Sequence, residues 1–186
     1  MKINLADWVT ASRIFLAFLI FSLLMGRMPY ARIFAAILFC LAGLTDYFDG
    51  KIARKYGGGT AFGKFFDPLA DKVLVILILT GLAILKEIPF WMVILIVIRE
   101  IFVTFLRGGN VEKFSPTVLA KSKTAIQMFG TAVMLFMPCL VPMLHRGGIF
   151  LKVGVQQGLN YIIMTIILLV TIISGVQYFF IARGKI

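Results

Sequence analysis

Six long apolar runs restrict this chain more than any other feature it carries. They cover Trp8–Met25, Ala31–Tyr56, Phe62–Lys86, Phe90–Arg107, Ala120–Leu144 and Gln157–Ala182. A helix needs about 20 residues to cross the hydrocarbon of a bilayer, and each run is of that order. In lipid the backbone must satisfy its own polar groups, which only helices and closed barrels achieve. A barrel would read as short alternating segments, and none occur. The runs therefore predict an all-α integral membrane protein with six transmembrane helices. Composition agrees: 61% of residues are hydrophobic and only 15% charged, against about 25% charged in soluble domains.

Turn-forming residues mark the breaks between runs. Gly26, Arg27 and Pro29 follow the first, Gly57-Gly58-Gly59 the second, and Pro89 precedes the fourth. Asn110–Pro116 separates the fourth and fifth, and Arg146-Gly147-Gly148 opens a final loop that includes His145. No internal repeat or low-complexity tract appears, so residues 1–186 read as a single membrane domain. The first run lacks the small-residue cleavage pattern of a signal peptide after Met25. Met1–Asp7, with Trp8 beside it, fits either a short N-terminal interfacial helix or a loose tail.

A formal net charge of +11 would suit nucleic acid if it lay on one soluble face, but it is spread over loops and span ends. There it sets orientation. One set of ends holds eleven basic residues, among them Lys51, Arg54, Lys55, Lys64 and Lys72; the other set holds Arg27, Arg32, Lys86, Arg146 and Lys152. The richer side is expected to face the cytoplasm, where anionic headgroups and phosphorylated substrates are its natural partners. Cys40 and Cys139 both sit inside apolar runs and read as small packing residues.

Against this background four carboxylates stand out. Asp46 and Asp49 close the second run; Asp67 and Asp71 open the third. An ionised aspartate at membrane depth costs several kcal/mol unless paired, hydrated or metal-bound. On a regular helix Asp46 and Asp49 lie about 60° apart, and Asp67 and Asp71 about 40°. Each pair shares a face, so two facing helices can converge four carboxylates. Oxygen ligands without His or Cys suit hard cations such as Mg²⁺ or Mn²⁺. Gly43, Gly50, Ala53 and Gly63 fall at helical spacings beside the acids and leave either a cleft or a close helix–helix contact. Pro68 fits a helix's first turn or a kink.

Asp46-Tyr47-Phe48-Asp49-Gly50-Lys51-Ile52-Ala53-Arg54, followed by Gly63, Asp67 and Asp71, resembles the signature D-x2-D-G-x2-A-R-x8-G-x3-D-x3-D of the CDP-alcohol phosphatidyltransferase family. Every fixed position matches. Thr10 and Arg13 resemble the family's N-terminal T-x2-R element. Arg99-Glu100, Arg107, Lys121-Ser122-Lys123-Thr124 and Gln127 resemble its phosphatidylglycerophosphate-forming subgroup, with Ala120 where that subgroup carries glycine.

The resemblance implies transfer of a phosphatidyl group from CDP-diacylglycerol to an alcohol, glycerol 3-phosphate for that subgroup, with release of CMP. It implies two divalent ions, Mg²⁺ or Mn²⁺, on Asp46, Asp49, Asp67 and Asp71, with Asp71 as general base. Gly50, Ala53, Arg54 and Gly63 would line the nucleotide and diphosphate. Arg107, Lys121 and Lys123 are candidates for the acceptor phosphate, because a dianion needs several donors. On a regular helix Lys121 and Lys123 point about 200° apart, so both serve one site only where that helix begins.

Arg99 and Glu100 lie deep enough to need partners, and a structural ion pair is the expectation for Glu100. A homodimer in a bacterial inner membrane, active site toward the cytoplasm and without nucleic acid, completes the expectation. Serine or inositol phosphate as acceptor would use the same chemistry. A cation transporter would want acids near mid-membrane on several spans instead.

Overall fold

The computed structural model describes the backbone over residues 5–26, 30–55, 61–108, 118–146 and 154–182, and side chains over 12–26, 30–45, 72–105, 122–140 and 154–181. These residues form six α-helices: α1 Leu5–Met25, α2 Ala31–Lys55, α3 Ala61–Ile84, α4 Phe90–Gly108, α5 Val118–Arg146 and α6 Val155–Ala182. No strand occurs among the described residues. Each helix coincides with one apolar run to within three residues at either end. Leu5–Asp7 form the first turn of α1 rather than a separate element. His145, expected in a loop, lies in the last turn of α5. Pro68 lies beyond the first turn of α3.

Helical periodicity decides what packs. Arg13, Ala17, Ile20 and Leu24 recur every three or four residues on α1 and are buried, whereas Phe15 and Phe18 on the opposite side are exposed. That buried face meets α2 and α3. On α2 the inward stripe is mostly small: Ala31, Ala35, Ala36, Phe39 and Ala42. Small residues let backbones approach closely. Gly43 shows how closely, since a Cβ there would meet the Met128 side chain of α5 at 2.9 Å. Gly130 does the same between α5 and α6, where a Cβ would fall 2.8 Å from Ile167 Cδ1. Leu74, Ile78, Leu79 and Leu82 of α3, with Met92 and Ile96 of α4, fill the centre. Helix α4 packs on α3 and α6, and α5 on α2, α3 and α6.

The exterior is apolar as well. Phe105 is 83% exposed and Phe129 74%, within a belt of exposed Ile, Leu and Phe found on every helix among the described residues. Among the described residues two helical stretches are long and apolar enough to cross a membrane, Ser122–Leu140 with mean hydropathy 1.3 and Val155–Ile181 with 2.3. Ser12–Met25, Ala31–Thr45 and Lys72–Ile84 are shorter apolar stretches.

Helix α3 ends in a specific way. Lys86 N–H donates to Ala83 O and Glu87 N–H to Leu82 O, both at 3.0 Å, the bond pair of a Schellman motif. The motif requires a left-handed residue, and Lys86 supplies it with φ 60°. The reversal turns Glu87 back toward the bundle, where it accepts from Arg32 of α2 and, at 3.4 Å, from Asn160 Nδ2 of α6.

Candidate active site

The signature is divided between two helices. Asp46, Asp49, Gly50, Ala53 and Arg54 occupy the last turns of α2. Gly63, Asp67 and Asp71 occupy the first half of α3. The side chains of these residues, and of Arg107 and Lys121, lie outside the described ones, as does the 56–60 connection. The backbone puts Arg107 in the last turn of α4 and Lys121 in the first turn of α5. Helix α5 begins at Val118, so Lys121, in its first turn, and Lys123 are both helical positions, about 200° apart around the axis.

Lys123 is described, and it turns into the bundle. It is 7% exposed and its ammonium donates to Glu100 Oε1. Glu100, itself 4% exposed, gathers two more cations. Arg99 Nη1 reaches the same oxygen at 2.9 Å, and Lys72 Nζ lies 3.3 Å from Oε2. Consecutive helical residues do not face one another, so Arg99 must fold back to reach its neighbour. Its Nη2 then donates to Ser174 Oγ of α6 at 2.7 Å. The adjoining residue of α6 is Gly175, where a Cβ would meet Arg99 Cγ and Nε at 3.2 Å. Lys72 also donates to Thr104 Oγ1, whose own proton goes to the Glu100 carbonyl at 2.7 Å.

One carboxylate thus joins α3, α4 and α5 directly and α6 through Arg99. The ion pair expected for Glu100 is present, with three cations rather than one. Lys72 and Ser174 were not singled out from sequence as members of a site. Lys72 read as one of many orienting charges, although its position next to Asp71 was a usable signal. Ser174-Gly175, a small polar pair inside the last run, was another.

Arg13 is buried on the inward stripe of α1. Gln127 and Thr131 continue the buried face of α5 below Lys123 at four-residue steps, and Thr131 Oγ1 donates to Gln127 O at 2.7 Å. Cys40 and Cys139 are free thiols.

The acid signature thus lies on the end of one helix and the first half of the next, one residue along α3 from Lys72 of the Glu100 cluster. A profile of the CDP-alcohol phosphatidyltransferase family matches residues 3–177, and the chain belongs to that family. A Rickettsia bellii protein named CDP-diacylglycerol--glycerol-3-phosphate 3-phosphatidyltransferase is 37% identical over 187 residues, 96% of each chain. A Bacillus subtilis protein of the same name is 44% identical over 110 residues, 58% of this chain and 57% of its own. A Mycobacterium tuberculosis H37Rv protein named "Probable phosphatidylglycerophosphate synthase" is 36% identical over 155 residues, 82% of this chain and 68% of its own.

Proposed function

We infer that this chain is a CDP-diacylglycerol–glycerol-3-phosphate 3-phosphatidyltransferase, forming phosphatidylglycerol phosphate and CMP in phospholipid synthesis. The observation that carries the reading is the complete signature from Asp46 to Asp71, in a chain matched almost end to end by a relative of that name.

All six helices span the bilayer in this reading. The exposed apolar belt supports it, because soluble proteins rarely present contiguous apolar patches beyond a few hundred Å². The richer basic set of loops and span ends supports a signature end toward the cytoplasm; a bacterial inner membrane and a homodimer complete the reading.

The donor set fits a divalent cation: four carboxylates, at the end of α2 and in the first half of α3, with no soft ligand in the signature. Asp46, Asp49, Asp67 and Asp71 would hold two ions, Mg²⁺ or Mn²⁺. When bound, the ions neutralise diphosphate charge as it builds on the leaving CMP. The protein's own residues do the rest. Gly50, Ala53 and Gly63 leave room for the nucleotide, and Arg54 holds its phosphate. Arg107 and Lys123 bind the acceptor's phosphate and align its hydroxyl. Asp71 takes the hydroxyl proton as the oxygen bonds to the β-phosphorus and the bond to CMP breaks. Alignment of this kind supplies much of the acceleration in group transfer.

Purified protein given radiolabelled glycerol 3-phosphate, CDP-diacylglycerol and Mg²⁺ should yield lipid-soluble label and CMP. Transfer to inositol phosphate or serine, with none to glycerol 3-phosphate, would overturn the acceptor. Asp71→Asn should lower turnover by about 10²–10⁴, the usual contribution of a positioned base, with the fold intact. Full activity in that variant would remove Asp71 from the role.

A further inference from the structure

A buried carboxylate with one cation is a brace. Glu100 has three, from three helices, among the described residues. Among the described residues the cluster carries a surplus of two positive charges, with Arg99 and Lys123 largely buried beside Glu100 and Lys72 30% exposed. A phosphate monoester near neutral pH carries about −1.5 to −2, enough to balance the surplus. An ammonium has three N–H donors, so the bond from Lys123 to Glu100 does not exhaust Lys123.

Position along the helices matters as much as charge. Lys72 directly follows Asp71 on α3, so Glu100 grips α3 one residue from the proposed base. Through Lys123 it grips α5 two residues from Lys121. Through Arg99, which crosses α6 at Gly175 and ends on Ser174, the carboxylate is itself held.

We propose that Glu100 is a positioning residue for the acceptor: it holds Lys72 and Lys123 on one carboxylate as a preorganised pair that receives the acceptor's phosphate, one residue along α3 from Asp71. This rests on the acceptor reading above and adds Lys72 and Glu100 to it. Glu100 itself does not touch substrate. Its carboxylate fixes the two ammonium groups that do. Removing it leaves both lysines charged, with Lys72 still on Thr104 but Lys123 without its carboxylate, and their mutual repulsion drives them apart.

The test separates positioning from bulk support. In Glu100→Gln the KM for glycerol 3-phosphate should rise about tenfold, a loss near 1.4 kcal/mol, while the KM for CDP-diacylglycerol stays unchanged. A purely structural role would lower the folded fraction, and with it the maximal rate, leaving both KM values as they were; that result would overturn the proposal. Glu100→Gln/Lys72→Met restores the original surplus of two charges and retains Lys123. Its KM for glycerol 3-phosphate should remain raised, and recovery to the parent value would reduce Glu100 to a charge balancer. If Glu100→Gln does not fold, Glu100→Asp keeps the charge on a shorter arm and should show the same selective rise, smaller in size; unchanged KM values there would count against the proposal. If the parent enzyme transfers no label to glycerol 3-phosphate, the acceptor reading fails by itself. The same KM comparison is then made with the acceptor it does use, and an acceptor lacking phosphate would overturn the proposal.

Discussion

Glu87 and Glu100 are both largely buried carboxylates of the bundle, one near each end, and they are neutralised differently. Glu87 follows α3 and meets one cation, Arg32, with Asn160 beside it. Glu100 lies inside α4 and meets Lys72, Arg99 and Lys123. The side chains of the first pair are 21% and 13% exposed, while Glu100 and Lys123 are 5% and 8%. Among the described residues the Glu100 cluster is the less balanced one, with Arg99 11% and Lys72 30% exposed. Stability alone would favour the opposite arrangement, since an uncompensated buried charge costs more than a paired one. The difference marks which end is braced and which is kept ready for an anion. The signature acids and Lys121 belong to the same end as the unbalanced cluster.

Between the two glutamate clusters, Lys123→Met should produce the larger effect and the sharper contrast. Hydrogen bonds to charged groups contribute about 1.5–3 kcal/mol, so kcat/KM for glycerol 3-phosphate should fall by about 10–150-fold. Glu100 retains Arg99 and Lys72, so thermal unfolding in detergent should shift little. A large stability loss with unchanged kcat/KM per folded molecule would make the inner cluster a brace like the outer one.

Arg32→Met attacks the other end. Removing one partner of a buried pair costs about 3–5 kcal/mol; this pair is partly exposed, so a loss of about 2 kcal/mol is expected in unfolding measurements. Turnover per folded molecule should not change. Arg32→Met/Glu87→Gln should then recover about half of the loss, because the stranded carboxylate is gone. If the double variant is no more stable than the single, Arg32 contributes through packing of its stem rather than through charge.

How far sequence reaches also differs between the ends. Apolar runs gave all six helices, because a run that must bury every backbone polar group has few other solutions. Signature spacing assigned Asp46 to Asp71 to two helix segments, and α2 and α3 carry them there. Glu100 was legible as a group needing a partner. Its partners were not, since Lys72 and Lys123 are 28 and 23 residues away on either side and only the packing of α3 and α5 around α4 brings them together. Lys123 illustrates the gap: spacing on α5 gave its direction relative to Lys121 but not which of the two faces the interior. At the far end Arg32 and Lys86 read alike as orienting charges. Only the left-handed turn at Lys86, which nothing in a lysine announces, delivers Glu87 to Arg32.

That turn gives the smallest effect. A non-glycine residue in left-handed conformation costs about 1–2 kcal/mol, and Lys86 sits at φ 60° with its side chain exposed. Lys86→Gly removes the Cβ clash while the Schellman bonds at 3.0 Å stay in place. Glycine's larger entropy loss on folding offsets about 0.5–1 kcal/mol of the gain. The net expectation is a stabilisation of about 0.5 kcal/mol, read as a small rise in unfolding temperature with kcat and both KM values unchanged. A fall in stability would mean that the Lys86 side chain itself supports the turn, and that the far end depends on more than the Arg32–Glu87 pair.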